Sequence, residues 1–211
     1  MLFATPKLHY NIHGTLYICR RNLDRVDHYM NKFQFFINFL KDPHVAAILP
    51  SSRFVLRKVL DMIPFEKTKI IVEYGPGTGV LTKRLLQQLK EDGKLIAIER
   101  NKEFYQVLRK INDKRLHLFN EDARNVEACL QKINISKADI VLSAIPISYL
   151  KPNEKNDLLE KAKKILSKDG KFIVYSQHST HARPYLKNFF EKVRLKIEFR
   201  NIPPAFIFEA S

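Results

Sequence analysis

Ile70-Ile71-Val72-Glu73-Tyr74-Gly75-Pro76-Gly77-Thr78-Gly79 is the stretch of the 211-residue chain that decides the fold. An apolar run ends in an acidic residue, and three alternating glycines lead into residues 79–90, where Leu81, Leu85 and Leu89 share one side. This order predicts a buried strand, a tight turn and a helix. Glycines let the backbone pass close to a ligand because no Cβ stands in the way. The stretch therefore predicts a ligand-binding loop at the carboxyl end of a strand.

Strands and helices alternate after this loop. Further strands are predicted at residues 94–99, 116–120, 140–142 and 172–175, and helices at residues 102–111, 154–166 and 184–192. Such alternation favours a parallel sheet covered on both faces. The last two strands, residues 194–200 and 205–209, are joined by a segment too short for a crossover, so they should pair antiparallel. We therefore predict an α/β, Rossmann-like fold with a seven-stranded, mostly parallel sheet and an antiparallel last strand.

The chain ahead of the loop has a different character. Residues 1–30 show no clear periodicity and are interpreted as an N-terminal extension whose place in the native protein is left open. Residues 31–67 are predicted to form two amphipathic helices, the first with a broad aromatic face over residues 33–41. The second, residues 53–63, follows Pro50-Ser51-Ser52, whose two serines are the candidate N-caps. Residues 68–211 then make up the ligand-binding domain.

The composition restricts partner and compartment. With 37 Lys and Arg against 22 Asp and Glu, the net charge is +15. Such a surface favours a polyanion, either nucleic acid or an anionic membrane, although a lysine-rich composition alone would also produce it. Two distant cysteines suit a reduced cytosolic protein, and neither belongs to a metal-binding pattern. Because no apolar run reaches about 18 residues, we predict no membrane-spanning segment, so that any membrane association is peripheral. The cysteines predict a cytoplasmic protein without a metal.

Acidic residues stand at the carboxyl ends of the next strands, where ligands bind on open α/β sheets. Glu99 closes the second strand at the position from which an acid binds ribose hydroxyls, and the alternative is a solvated strand-end carboxylate. Asp122 follows the third strand, and the alternative there is a surface turn. Nucleotide dehydrogenases use a similar glycine pattern, but they also need a nicotinamide site and usually a longer chain.

The glycine loop and these acids resemble the S-adenosylmethionine site of class I methyltransferases. The resemblance implies S-adenosylmethionine as the cofactor and an Asp that accepts a hydrogen bond from its adenine amino group. The cofactor-binding residues that we predict on this basis are Ser52, Glu73, Gly75, Gly77, Gly79, Glu99, Arg100, Asp122, Ala123 and Ser143.

From about residue 35 to residue 210 the chain is similar to bacterial phospholipid N-methyltransferases, which methylate phosphatidylethanolamine on its amine. Besides the glycine loop, the matching segments are Phe39-Leu40-Lys41-Asp42-Pro43, Pro50-Ser51-Ser52-Arg53, Ile98-Glu99-Arg100-Asn101, Ser143-Ala144-Ile145-Pro146 and Asn201-Ile202-Pro203-Pro204-Ala205. The chain departs from the family at Ala144, where Gly is usual, and at Tyr175-Ser176-Gln177-His178, where a Phe-Thr-Tyr-like segment is typical. Both departures lie near the expected acceptor pocket, so ornithine-type lipids stay open as acceptors beside phosphatidylethanolamine.

Ribosomal RNA adenine dimethyltransferases are related and share the Gly-Pro-Gly loop. Their fourth motif, of the Asn-Leu-Pro-Tyr type, holds the adenine amino group with its Asn and stacks its aromatic ring on the flipped base. This chain has Ser143 and Ile147 there, and it stops after the last strand, where those enzymes carry a helical RNA-binding domain. We therefore expect no nucleic-acid partner and keep RNA adenine N6-methylation as the alternative function.

The resemblance implies methyl transfer to a lipid head-group amine. Freeing such an amine of its proton near neutral pH costs on the order of 4 kcal/mol, which burial or a base can lower. The candidate acceptor-side residues are Ser143, Tyr149, Tyr175 and His178. His178 would accept the proton, unless it is an ordinary loop histidine, and Tyr149 or Tyr175 would hold the cationic amine against its ring.

The aromatic helix at residues 33–41 is predicted to lie in an anionic lipid interface, with Lys32 and Lys41 reaching head groups. The alternative is that it packs on the domain or on a second subunit. Beside the enzymatic functions, the alternative is that the chain is a non-catalytic protein that binds or remodels membranes. The oligomeric state is not predicted.

Overall fold

The computed structural model describes residues 52–147, 150–177, 180–201 and 203–211, together with two short strands nearer the N-terminus. The chain divides into two compact units, Met1–Ala46 and Ala47–Ser211. In the first unit, β1 (His9–Tyr10) pairs antiparallel with β2 (Leu16–Tyr17). The predicted aromatic helix at residues 33–41 lies outside the described residues.

The second unit contains the alternating strands and helices. Its strands are β3 (Ile70–Tyr74), β4 (Lys94–Ile98), β5 (Leu116–Phe119), β6 (Ala138–Ser143), β7 (Leu166–Gln177), β8 (Val193–Glu198) and β9 (Ala205–Ala210). Its helices are α1 (Arg53–Leu60), α2 (Val80–Gln88), α3 (Lys102–Leu108), α4 (Val126–Gln131), α5 (Pro152–Ile165) and α6 (Ala182–Phe189). Each predicted element of this unit is present, whereas α4 and the 3-10 turn before it, Ala123–Asn125, were not predicted.

The seven strands form one sheet in the order β5-β4-β3-β6-β7-β9-β8. Strands β5, β4, β3, β6 and β7 are parallel, and β9 runs antiparallel to both β7 and β8. The predicted fold class, a mostly parallel sheet with an antiparallel last strand, is confirmed. The strand order reverses direction at β3, which lies between β4 and β6, and such a switch point is where open α/β sheets bind ligands. The glycine loop therefore leaves the sheet at the expected ligand-binding position.

Each face of the sheet carries its own apolar core because side chains alternate between the faces along a strand. Val72, in β3, packs in the cluster that includes α4, α5 and α6, while its neighbour Ile71 packs in the cluster that includes α1 and α2. Helix α1 buries Val55, Leu56, Val59 and Leu60 in the second cluster. The result is a sheet covered on both faces, with its strand ends left for loops.

Among the element boundaries that differ from the prediction, two have clear physical reasons. Helix α5 begins at Pro152 because proline suits the first helical position, where no backbone donor is needed. The Glu154 carboxylate caps this start by accepting a hydrogen bond from the Lys151 amide at 3.1 Å. Strand β7 begins earlier than predicted, at Leu166, because that residue already pairs with Ala138 of β6.

Candidate active site

The glycine loop joins β3 to α2 in a backbone conformation that requires glycine. Gly75, Gly77 and Gly79 have φ angles of +66°, +57° and +78°, in the left-handed region. A Cβ added at Gly79 would lie 2.7 Å from Leu108 Cδ2, so this glycine is needed for packing. At Gly77 no heavy atom of the described chain lies within 4 Å of the added Cβ. The loop is thus packed at its end and open at its middle, where a ligand can approach the backbone.

Glu99 connects this loop to the end of β4. Its Oε2 accepts a hydrogen bond from the Gly77 amide at 3.0 Å, and its Oε1 accepts one from the Asn101 amide at 2.8 Å. The residue is mostly buried, and burial raises the pKa of its carboxyl, while the bonds from Asn101 and Gly77 oppose that rise. A carboxylate has further lone pairs beyond these two bonds. The structure therefore places Glu99, the residue predicted to bind the ribose hydroxyls, against the glycine loop.

Glu73 lies beneath the loop and not at its surface. It is fully buried, and its Oε2 accepts a hydrogen bond from the Thr82 hydroxyl at 2.8 Å. Its Oε1 has no partner among the residues that the structure describes. Burial raises the pKa of Glu73 to about 7; the Thr82 bond opposes this rise and the Glu99 charge adds to it. Near neutral pH, Glu73 is therefore a carboxyl that can gain or lose a proton inside the fold.

Asp122, after β5, is held by a residue that sequence reasoning missed. Its Oδ1 accepts hydrogen bonds from the Arg124 amide and Nε, both at 2.9 Å, and its Oδ2 accepts one from Arg124 Nη2, also at 2.9 Å. The Arg124 guanidinium lowers the pKa of Asp122, so this acid is an ionised acceptor. Arg100 Nη1 lies 3.8 Å from Asp122 Oδ2, and Ala123 is buried directly after it.

Arg124 also reaches the start of α5, because its Nη1 donates to Glu154 Oε1 at 3.3 Å. We call the contacts of Arg124 with Asp122 and Glu154 the Arg124 clamp. The sequence pattern that indicates it is an acidic residue followed two residues later by arginine. The same spacing forms the same bond at Asp113 with Arg115 and at Glu198 with Arg200. Asn120 adds a second link, since its Nδ2 donates to the Glu99 carbonyl at 2.8 Å and ties the ends of β4 and β5 together.

Two positions after β6 differ from the motif with which ribosomal RNA adenine dimethyltransferases hold an adenine base. Aligned on Pro146, the four-residue Asn-Leu-Pro-Tyr motif places Ala144, and not Ser143, opposite its Asn, which corrects the correspondence given above. An alanine side chain accepts no hydrogen bond. Ile147, opposite the aromatic residue, is fully buried in the core and presents no ring to a ligand.

The other predicted residues are placed as follows. Ser143 is fully buried beside Tyr74, and the two hydroxyls have no hydrogen-bond partner within the described part of the chain. Tyr175 is buried in the core cluster on the side of α1, and burial followed by the Glu73 charge raises its pKa. Tyr149 and His178 lie outside the described residues, so their roles stay predictions.

Ser52 is confirmed as the N-cap of α1, since its hydroxyl accepts a hydrogen bond from the Val55 amide at 3.4 Å. Its own amide donates to Asn201 Oδ1, in the turn between β8 and β9, at 3.4 Å. Its contact with the cofactor stays a prediction.

The described residues contain neither a cluster of metal ligands nor a helix that could span a membrane. None of their His, Cys, Asp and Glu side chains form a group of three or more that could hold a metal ion. None of their helices is long and apolar enough to cross a bilayer.

The chain is similar to known methyltransferases in sequence and in fold. The pattern of the family described as ribosomal RNA adenine dimethylase matches residues 29–177. An ornithine lipid N-methyltransferase of Singulisphaera acidiphila is 30% identical over 76% of this chain and 85% of its own length. Ribosomal RNA small subunit methyltransferase A of Mycoplasma capricolum is 29% identical, over 54% of this chain and 45% of its own.

A crystal structure of a SAM-dependent methyltransferase from Aquifex aeolicus matches 83% of this chain and 96% of its own, with a TM-score of 0.56 and 17% identity, which shows a shared fold. The open backbone at Gly77, the carboxylate of Glu99 beside it and the ionised Asp122 suit the ribose and adenine of this cofactor. The chain belongs to the ribosomal RNA adenine dimethylase family and is an S-adenosylmethionine-dependent methyltransferase.

Proposed function

We propose that this protein methylates the amine of a membrane-lipid head group, with phosphatidylethanolamine and its methylated derivatives or an ornithine lipid as the acceptor. The observation that carries the proposal is the segment after β6. There Ala144 and the buried Ile147 replace the two residues with which an RNA adenine methyltransferase holds its base. The ornithine lipid enzyme, which is similar over most of both chains, supports an amine lipid as the acceptor class.

The donor side can be derived from this chain's own residues. S-adenosylmethionine supplies an activated methyl group when bound. Glu99 would accept hydrogen bonds from its ribose while holding Gly77 in place, and Asp122 would accept one from its adenine amino group. Because the donor is already reactive, the main task of the protein is to position the amine in line with the methyl group.

The acceptor must arrive as a free amine, since an ammonium has no lone pair to attack with. Excluding water from the head group favours the neutral amine. Tyr149 and His178 are the predicted residues for holding the amine and accepting its proton. His178→Ala should lower the rate of transfer while leaving the affinity for S-adenosylhomocysteine unchanged. A wild-type rate across the pH range would remove His178 from proton transfer.

A panel of acceptors tests the proposal. Purified protein is incubated with labelled S-adenosylmethionine and, separately, with phosphatidylethanolamine, an ornithine lipid and unmethylated small-subunit RNA. Label in the organic phase supports the proposal, and the labelled lipid identifies the head group. Label on RNA supports the alternative function, adenine N6-methylation, which the family pattern and the RNA methyltransferase relative favour. Binding of S-adenosylhomocysteine without transfer to any acceptor contradicts both enzymatic functions.

A further inference from the structure

The turn between β8 and β9 contains the Asn-Ile-Pro-Pro-Ala segment and one unusual side chain. Phe199 is 74% exposed, and it is the most exposed of the large hydrophobic residues that the structure describes. An isolated exposed apolar residue is normal on a soluble protein. Phe199 differs because its surroundings are rigid, basic and close to the end of the sheet where the cofactor loop lies.

The rigidity comes from bonds on both sides of Phe199. Arg200 donates from Nε and Nη2 to the Glu198 carboxylate at 2.8 Å and 2.9 Å, and its guanidinium lies 4.3 Å from the centre of the Phe54 ring. Asn201 donates to the Pro203 carbonyl at 2.6 Å and accepts from the Ser52 amide. The turn is therefore tied to α1, and ordering Phe199 on a surface would cost little further entropy.

The charge around the turn is positive. Lys58 lies 3.2 Å from Glu198, the same carboxylate that holds Arg200. Exposed Lys196 lies on β8, and the guanidinium of exposed Arg53 lies 4.9 Å from the centre of the Phe54 ring. The basic residues Arg53, Lys58, Lys196 and Arg200 thus lie on the turn or on the neighbouring parts of α1 and β8, where Glu198 is the carboxylate that Lys58 and Arg200 contact. Cations beside an exposed aromatic ring are complementary to an anionic lipid surface.

The position in the sheet relates this turn to the active site. Strand β8 runs in the same direction as β3, since both β7 and β8 pair antiparallel with β9 while β7 is parallel to β6 and β6 to β3. The turn after β8 therefore lies at the carboxyl edge, where the glycine loop and Asp122 also lie. A lipid surface bound at this turn would present its head groups along the edge of the sheet that carries the predicted cofactor site.

We propose that the β8–β9 turn is a membrane anchor, in which Phe199 inserts into an anionic lipid surface while Arg53, Lys196 and Arg200 contact its head groups. This inference deepens the proposed function and rests on it for the choice of a lipid over an RNA surface. The exposed prolines 203 and 204 contribute no backbone donors to the turn, which suits an apolar interface.

The test uses the absence of tryptophan from the chain. Phe199→Trp places a single fluorescent reporter at the tip of the turn, and Val107→Trp, on α3 and 44% exposed in the wild type, is the matched control. With vesicles that contain phosphatidylglycerol, the Phe199→Trp emission should shift to the blue and be quenched by brominated lipid, while the control changes little. Binding to the vesicles without a shift at position 199 would overturn the proposal, as would a shift with RNA and none with vesicles.

Further variants measure how much individual side chains contribute to vesicle binding. Phe199→Ser should lower the vesicle partition coefficient about tenfold or more, the loss expected for an inserted phenylalanine. Arg53→Gln should lower it about fivefold, and Lys168→Gln, exposed in the early part of β7, should have no such effect. Unchanged partition of Phe199→Ser would contradict the proposal.

Lipid in detergent micelles separates this inference from the proposed function. Phe199→Ser should methylate such lipid at the wild-type rate and lose activity only on vesicles. If the wild type methylates no lipid while the reporter still shifts, the proposed function fails and the anchor stands.

Discussion

The two sides of the carboxyl edge differ in how they are built. On the donor side, at the ends of β3, β4 and β5, the predicted cofactor-binding acids Glu73, Glu99 and Asp122 all accept hydrogen bonds from described neighbours. On the acceptor side, at the ends of β6 and β7, Ser143 and Tyr175 are buried, while Tyr149 and His178 in the loops that follow lie outside the described parts of the chain. The difference teaches that the predicted cofactor cradle, formed by the glycine loop and these acids, is fixed by hydrogen bonds among described residues, whereas the described acceptor-side candidates are enclosed by the core.

The largest effect should come from removing the acid that holds the cradle. Glu99→Ala leaves the amides of Gly77 and Asn101 without their acceptor, and each unpaired buried donor costs about 1–3 kcal/mol. We expect the affinity for S-adenosylhomocysteine to fall about 100-fold or more, as measured by calorimetry, with transfer to every acceptor reduced alike. Glu103→Ala, on the exposed part of α3, is the control. An affinity close to that of the wild type would show that the loop does not depend on Glu99.

The next effect concerns the pH dependence of stability. Because burial raises the pKa of Glu73 to about 7 from its ordinary value of 4.5, the folded protein holds a proton that the unfolded chain has lost between these pH values. Its contribution to stability is therefore present below pH 4.5 and is lost as the pH rises through 7, by roughly 3 kcal/mol.

Glu73→Gln should remove this loss. Relative to the wild type, the variant should gain about 2–3 kcal/mol in free energy of unfolding between about pH 5 and about pH 8, as measured by urea denaturation. A constant difference between the two proteins over this range would mean that Glu73 does not titrate in the fold.

The features of these two sides that could be predicted are those that depend on residues close together in the sequence. The alternation of strands and helices and the position of Glu99 at a strand end follow from local patterns, whereas the strand order and the bond from Gly77 to Glu99 came only from the structure. The short helix α4 was missed because the 3-10 turn before it interrupts the periodicity. The Arg124 clamp was missed although its spacing is local, because only the fold brings Glu154 to its other side. The burial of Ile147 and Tyr175 depends on helices distant in sequence, so no local pattern shows it.

Gly77→Ala tests whether the open space in the loop belongs to the cofactor. The left-handed φ of +57° should make alanine cost about 1–2 kcal/mol of stability. If the cofactor occupies that space, the added Cβ also clashes with it, and the affinity for S-adenosylhomocysteine should fall by more than this stability loss explains. If the loss of binding free energy measured by calorimetry equals the loss of stability measured by denaturation, the cofactor does not occupy this space.

The smallest effect should come from Arg124, which positions Asp122 without being required for the loop. Arg124→Ala should reduce about five- to tenfold the preference for S-adenosylhomocysteine over the inosine analogue, which lacks the adenine amino group. Arg109→Ala, on the exposed end of α3, is the control. If the preference is unchanged while overall affinity falls, Arg124 acts only on stability.

A competition between acceptors tests the central claim, that a methyltransferase of this family has an acceptor side suited to a lipid amine and not to adenine. Wild-type protein is given labelled S-adenosylmethionine together with unmethylated small-subunit RNA and vesicles containing both phosphatidylethanolamine and an ornithine lipid. We predict that the label appears in the extracted lipid, on a head-group nitrogen, and that Glu99→Ala abolishes it. Label on the adenines of the RNA, with none in the lipid, would contradict the account.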